Sequence, residues 1–447
     1  MLTRRRVLGA AAGGALTTMA ATLAACDPPS QPSQPSGAGA SGGAAAPSLD
    51  PSNWASVRAQ FALTPGVSHL AAFVFASHPA AVRAAIDTHR AGLDADPYGY
   101  LGANEAALDK AVATAAAAYL QTTAEQIAFT DSTTMGLGLL YTGLRLRAGD
   151  ELLTTEHDFY ATHEALRLRQ ERDGVAVRRV RLYDEPATAN AEQIVARLRS
   201  AIGARTRVVA VTWVHSGTGV KLPIRGLADA VAEANRGRAE PDRVLLCVDG
   251  VHGFGIEDAT PEALGCDFLV SGAHKWLFGP RGTGVLWGRV EAWPRLTPVI
   301  PSFTGDSIGA WLEGGVPRGP AGPAATPGGY HSFEHRWALA EAFGLHRAIG
   351  TVRVAQRTRS LATALKDGLA AMSGVRLHTP RAPELSAGIV CCEVDGYRSR
   401  EAVARLAAAK VVASATPYAT SYLRFGPSIV NDESDVEAAL KAVRALF

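Results

Sequence analysis

Lys275 lies in the run Phe268-Leu269-Val270-Ser271-Gly272-Ala273-His274-Lys275-Trp276-Leu277-Phe278-Gly279-Pro280. An apolar strand leads into it, an aromatic-aliphatic turn follows, and a second apolar strand comes after a Gly-rich stretch. A side chain at that point is expected to be buried. Burying an unpaired ammonium is so unfavourable that the amine gives up its proton instead. A desolvated, neutral amine is what imine chemistry needs. The competing reading is a surface lysine that snorkels from a strand end.

Asp249 closes the apolar run Val244-Leu245-Leu246-Cys247-Val248, and Gly250-Val251-His252-Gly253 follows. An acid in that position is often a helix cap or a turn former. It can instead hold a heteroaromatic ring nitrogen in its protonated form, as the pyridinium of pyridoxal phosphate requires. Asp249 and Lys275 lie 26 positions apart, at the ends of separate strands. That spacing suits a ring gripped at its nitrogen by one residue and at its aldehyde by the other.

Two further clusters suggest anion binding. In Phe129-Thr130-Asp131-Ser132-Thr133-Thr134-Met135-Gly136 a strand end passes into a helix start, where hydroxyls and free backbone N–H groups form an anion site. A plain Ser/Thr N-cap is the alternative. Ser271 and His274, beside the lysine, are placed to reach the same anion. Tyr422-Leu423-Arg424-Phe425-Gly426 sets an arginine inside an apolar strand. A buried guanidinium needs an anionic partner, best a carboxylate held bidentately, from a ligand or from the protein itself.

These residues need a scaffold with several strand ends in one place. Apolar strand-like runs at 127–130, 151–155, 175–182, 208–213, 244–248, 268–271 and 284–287 alternate with amphipathic helical stretches. The pattern predicts an α/β fold with a mainly parallel sheet covered on both faces, its ligands at the carboxyl ends of the strands. After a Pro/Gly-rich stretch (314–329) the rhythm changes. One long helix is predicted over 337–372. Strands at 375–378, 388–393, 411–414 and 422–425 follow, with helices at 401–409 and 433–446, as a second α/β lobe.

The set Asp249-Gly250-Val251-His252, Ser271-Gly272-Ala273-His274-Lys275, Thr130-Asp131-Ser132-Thr133-Thr134 and Glu156-His157 resembles the class V aminotransferases in order and strand context. This fold-type I pyridoxal phosphate family includes cysteine desulfurases, kynureninase and isopenicillin N epimerase. The resemblance spans about 67–447. It implies that Lys275 is the Schiff-base lysine and Asp249 the partner of the pyridine nitrogen. It implies that His252 approaches the phenolic oxygen, and that Ser132, Thr133, Thr134, Ser271 and His274 contact the phosphate. His157 matches the residue that stacks on the cofactor ring, although a satisfied loop histidine would look the same. Ser216 matches a position near the substrate and the ring oxygen, and Arg424 the holder of the substrate α-carboxylate. A homodimer with its site at the subunit interface is also implied.

Departures narrow the comparison. Cysteine desulfurases of this family carry a nucleophilic cysteine shortly before the carboxylate arginine. Here that stretch reads Ala413-Ser414-Ala415-Thr416-Pro417-Tyr418-Ala419-Thr420-Ser421, which argues against sulfur transfer through a persulfide. His69-Leu70-Ala71-Ala72-Phe73-Val74-Phe75 and Phe333-Glu334-His335-Arg336-Trp337 look closer to the isopenicillin N epimerase-like branch and are expected on the substrate side. Transamination is the expected outcome, with epimerisation or C–S lysis as alternatives. A cofactor-binding envelope protein without catalysis, or a sugar aminotransferase with no need of Arg424, are the rival readings.

Composition sets the outer bounds. The 447 residues are 47% hydrophobic, enough for one large domain and a smaller one. The net charge of +2 becomes −1 once Arg4, Arg5 and Arg6 are set aside, so nothing points to nucleic acid as a partner. Residues 1–26 are expected to be a targeting peptide. Thr3-Arg4-Arg5-Arg6-Val7-Leu8 resembles a twin-arginine export motif, and Leu23-Ala24-Ala25-Cys26 resembles a lipobox whose cysteine would carry a lipid anchor. An ordinary secretory peptide cut near Ala25 is the alternative. Residues 27–49 read as a flexible tether, 50–310 as the large cofactor-binding domain and 311–447 as the small one. Cys247, Cys266, Cys391 and Cys392 have no metal spacing and are read as buried thiols.

Overall fold

The computed structural model describes residues 47–447. The targeting peptide, Cys26 and most of the tether therefore lie outside the described residues. In chain order the strands are β1 (Ser68–His69), β2 (Ile127–Thr130), β3 (Glu151–Thr155), β4 (Ala176–Val180), β5 (Thr206–Thr212), β6 (Leu245–Asp249), β7 (Phe268–Gly272), β8 (Gly284–Gly288), β9 (Val375–Leu377), β10 (Val390–Val394), β11 (Val411–Val412), β12 (Ser414–Ala415) and β13 (Leu423–Phe425).

Seven of them form one sheet in the order β2-β8-β7-β6-β5-β3-β4. Only β8 runs against the rest: it is antiparallel to both β2 and β7, while the pairs β3–β4, β3–β5, β5–β6 and β6–β7 are parallel. Every residue of β5, β6 and β7 is buried, as a sheet with helices on both faces requires. The alternation of side chains along a strand divides them between two cores. Val209, Val211, Leu246, Val248 and Leu269 enter one. Val208, Ala210, Leu245, Cys247, Phe268 and Val270 enter the other.

A second sheet, ordered β12-β13-β10-β9, is antiparallel throughout. Two expectations are corrected here. The long helix predicted over 337–372 is two helices, Phe333–Ile349 and Thr351–Ala370. Gly350 separates them at φ 92°, a backbone state that a side chain disfavours and that ends the first helix. The single strand predicted over 411–414 divides between two sheets. Val411 and Val412 pair in parallel with Ser68 and His69, whereas Ser414 and Ala415 pair with β13. β1 and β11 are thus joined by hydrogen bonds across more than 340 positions, a long-range pairing that no local pattern records.

Candidate active site

The expected chemical residues other than Arg424 lie at or after strand ends of the large sheet. Asp249 is the last residue of β6, and its register partner on β7 is Val270, five positions before Lys275. Asp249 is 2% exposed. One carboxylate oxygen accepts the Val251 N–H at 3.1 Å, and the other has no protein hydrogen bond among the described residues. Burial pushes the Asp249 carboxyl upward, and the nearby Lys275 partly opposes this. Burial draws the Lys275 amine downward, against the attraction of Asp249. Both shifts make the charged forms less favoured than in water, while the opposite charges of the two residues offset part of that cost.

The turn carrying Lys275 is closed by backbone bonds from Phe278 N–H to Lys275 O (2.9 Å) and from Gly279 N–H to Ala273 O (2.8 Å). The indole N–H of Trp276 donates to His252 Nδ1 at 3.2 Å, which places the proton of neutral His252 on Nε2. Burial keeps that imidazole uncharged.

The helix Thr133–Gly143 begins beside this turn. Ser132 caps it, its Oγ accepting from the Met135 N–H at 3.1 Å. The amides of Thr133 and Thr134 have no intrahelical acceptor, so they are the donors left free. Thr133 Oγ1 accepts the Gly272 N–H at 2.7 Å and ties the helix start to the lysine turn, whereas the Thr134 side chain is exposed. A Cβ on Gly272 would lie 2.9 Å from His274 Cε1 and 3.2 Å from Thr133 Oγ1, so only glycine keeps the cradle open. A Cβ on Gly136 would meet Val270 Cγ1 at 2.5 Å, which lets this helix lie close on β7. Ser271 is buried and donates to Gly272 O at 3.0 Å. His274 Nδ1 is buried without a partner.

His157 follows β3. Its ring stacks on Tyr183 with centroids 3.8 Å apart and planes 8° from parallel. One imidazole face is therefore taken, and a cofactor ring has only the other. His157 Nε2 is buried and unpartnered, and burial draws the imidazole down to about 3, assisted by His215. The Tyr183 hydroxyl lies 2.8 Å from His215 Nδ1 and 2.9 Å from Thr218 Oγ1. Asp158 braces the same corner, accepting from Thr154 Oγ1 (2.8 Å), the Thr155 N–H (2.8 Å) and the Thr212 N–H (2.7 Å).

Arg424, on β13, is 6% exposed and makes no ion pair among the described residues, so the internal-pair alternative falls away. Its Nε donates to Ser414 Oγ at 3.1 Å and its Nη1 to the Ser216 carbonyl at 2.9 Å, leaving Nη2 free. The guanidinium lies over the Phe73 ring, 4.6 Å from its centroid. Of the two stretches expected on the substrate side, 69–75 thus reaches the site through Phe73. Arg336 instead approaches Asp131 at 4.0 Å and the Phe129 ring at 5.2 Å, next to the helix start.

Sequence reasoning missed Tyr183, Tyr418 and Asp158. Tyr183 and Tyr418 meet their partners across long stretches of chain, and Asp158 reaches Thr212 in the same way, although it adjoins the Glu156-His157 motif and could have been flagged there.

The free amides at Thr133 and Thr134, the unpartnered His157 and His274 nitrogens, the open Asp249 oxygen and the unbonded amine of half-buried Lys275 fit one ligand. It carries a phosphate, a nitrogen heterocycle and an aldehyde. Among the described residues no group of His, Cys, Asp and Glu is arranged to hold a metal ion.

The architecture is that of the fold-type I pyridoxal phosphate enzymes. It superposes on the cystine C–S lyase C-DES with a TM-score of 0.77 at 22% identity, covering 85% of this chain and 97% of that one. It superposes on the cysteine desulfurase CsdA of Escherichia coli with a TM-score of 0.74 at 22% identity, covering 88% and 98%. The aminotransferase class-V family model matches residues 102–438, and the chain belongs to that family. It is accordingly a pyridoxal phosphate-dependent class V protein. Similar sequences include an isopenicillin N epimerase of Amycolatopsis lactamdurans, 28% identical over 343 residues, 74% of this chain and 82% of the relative. A cysteine desulfurase of Yersinia pestis is 32% identical over 178 residues, 39% of this chain and 40% of the relative.

Proposed function

We propose that this protein is an enzyme acting at the α-carbon of an amino acid or a small amino-acid derivative, with transamination as the reaction. The observation that carries the reading is half-buried Lys275 beside buried Asp249, near an arginine that has no acidic partner among the described residues. Bound pyridoxal phosphate supplies an electron sink for the pair left when a bond to the α-carbon breaks. Thr133 and Thr134 offer amides to its phosphate, with Ser132, Ser271 and His274 around them. Asp249 would keep the ring nitrogen protonated, His157 would cover one ring face, and His252 and Ser216 would serve the ring oxygen. Arg424 grips the substrate carboxylate and so orients the bonds at the α-carbon. Lys275 Nζ would hold the cofactor through its aldehyde carbon and, when free, would serve as the base that carries the substrate's α-proton.

Epimerisation is the second reading, favoured by the likeness to isopenicillin N epimerases over most of the chain. A panel of amino acids scanned by cofactor absorbance, with product identification in D2O, separates the two. A 2-oxo acid marks transamination. A deuterated enantiomer without oxo acid marks epimerisation. No spectral response to any amino acid would leave a binding protein without catalysis.

The four cysteines of the described residues are all buried, and burial pushes their thiols upward, which supports a reaction without a persulfide carrier. A homodimer is proposed as well. Exposed apolar side chains at Phe303, Trp311, Leu312 and Val316 support it. The amino-terminal motifs support twin-arginine export and a lipid anchor at Cys26, outside the cytoplasm.

A further inference from the structure

We infer that Tyr418 is a positioning residue for the substrate carboxylate, acting with Ser216 beside Arg424 to select a free carboxylate over a carboxamide. This rests on the α-carboxylate reading of Arg424 and names the residues that decide it.

Hydrogen-bond accounting leads to the assignment. The Tyr418 hydroxyl lies 2.7 Å from Ser216 Oγ, and neither has another hydrogen-bond partner for its hydroxyl. Two hydroxyls bonded to each other use one O–H, so one O–H remains with no protein acceptor. The Ser216 carbonyl is already taken by Arg424 Nη1 at 2.9 Å. Arg424 Nη2 is the neighbouring free donor, and Arg424 has no carboxylate among the described residues. The cluster therefore offers a cation with a free N–H and one free hydroxyl proton, with neutral hydroxyl lone pairs as its only acceptors. A carboxylate, with two acceptor oxygens and no donor, satisfies both. A carboxamide has no charge and only one acceptor oxygen, so it replaces these charge-assisted bonds with weaker neutral ones.

Tyr418 is also held in place. Its loop is closed at the base by Thr416 N–H to Tyr422 O (2.9 Å) and Tyr422 N–H to Thr416 Oγ1 (2.9 Å). Ser421 Oγ donates to Thr416 O at 2.7 Å. Phe159 meets the phenol ring edge-on at 6.0 Å. A Cβ on Gly217 would come within 3.0 Å of the ring, so the glycine makes room for it. Burial pushes the phenol up to about 12, which keeps it a donor through the neutral range.

The test uses aminooxyacetate and aminooxyacetamide on the holoenzyme, since both condense with the cofactor aldehyde whatever the natural substrate is. The readout is the second-order rate of loss of the cofactor band. The wild type is expected to favour the acid by about tenfold or more, the scale of one charge-assisted hydrogen bond. Tyr418→Phe should lower that preference several-fold while leaving the amide rate and the resting spectrum unchanged. Ser216→Ala should lower the preference as well. A Tyr418→Phe variant with undiminished preference overturns the assignment to Tyr418. If the wild type shows no preference and Arg424→Ala changes nothing, the carboxylate reading itself fails. A general mis-packing around Tyr418 would slow both reagents together and leave the ratio unmoved, which also counts against it.

Discussion

Nη1 of Arg424 donates to the carbonyl oxygen of Ser216 at 2.9 Å, across 208 positions of chain. The bond joins the antiparallel sheet to the loop that follows β5, so the clamp for an anion is assembled from both sheets. Arg424→Lys keeps the charge but loses the planar fork that reaches Ser216, Ser414 and a ligand together. The expected result is a rise of about tenfold or more in KM for the amino acid, from the loss of one or two charge-assisted hydrogen bonds. Steady-state kinetics on whichever amino acid shifts the cofactor band would show it; an unchanged KM would place the carboxylate elsewhere.

Lys275→Ala removes both the anchoring amine and the proton carrier. The visible imine absorbance should vanish, and turnover should fall by at least about 10²–10⁴-fold, the range of one acid–base group. Normal turnover by this variant would refute the mechanism outright.

Acid should destabilise the fold through its buried imidazoles. His215 is drawn down to about 3 by burial and then by His163, from an ordinary value of 6.5. Between those values the unfolded chain takes up a proton that the folded chain refuses, so stability present above pH 6.5 is lost as pH falls. From pH 7 to pH 5, His215 alone accounts for about 2 kcal/mol. His157, His78 and His346 shift in the same direction. Urea unfolding at the two pH values should show a clear loss in the wild type and a smaller one in His215→Asn, which can still hydrogen-bond the Tyr183 hydroxyl. Equal losses would show that His215 is not shielded.

Thiol alkylation of the native protein should leave turnover within about twofold of the untreated enzyme, because Cys247, Cys266, Cys391 and Cys392 are buried and their thiols are pushed upward. Inactivation by iodoacetamide, with protection by substrate, would bring back a cysteine-based reaction.

Export can be checked on the intact gene product. Replacing Arg4 and Arg5 by lysine should retain the protein in the cytoplasm, and Cys26→Ser should release it from the membrane fraction. Unaltered fractionation of both variants would discard the targeting assignment.

Most of the large sheet was legible because six of its strands are buried throughout and so read as largely apolar runs, the edge strand β4 being the exception. Strand positions 127–130 and 151–155 match the structure residue for residue. The long helix was misjudged because Gly350 alone interrupts an otherwise helical pattern, and a single glycine is tolerated in many helices. The strand at 411–414 was misjudged because its two halves pair with different sheets, and pairing is a tertiary fact.

By itself, then, the sequence determined the order of strands and helices and which residues close the strands. Asp249 and Lys275 were readable because a charged residue at the end of an apolar run is costly and needs a reason. Only the tertiary structure decided which side chains share a partner. It set His157 on Tyr183, tied Thr133 to Gly272, left Arg424 without an acid and put Tyr418 against Ser216. Those pairings follow from how the strands are ordered in space and how the loops fold back over their ends, and local periodicity carries no record of either.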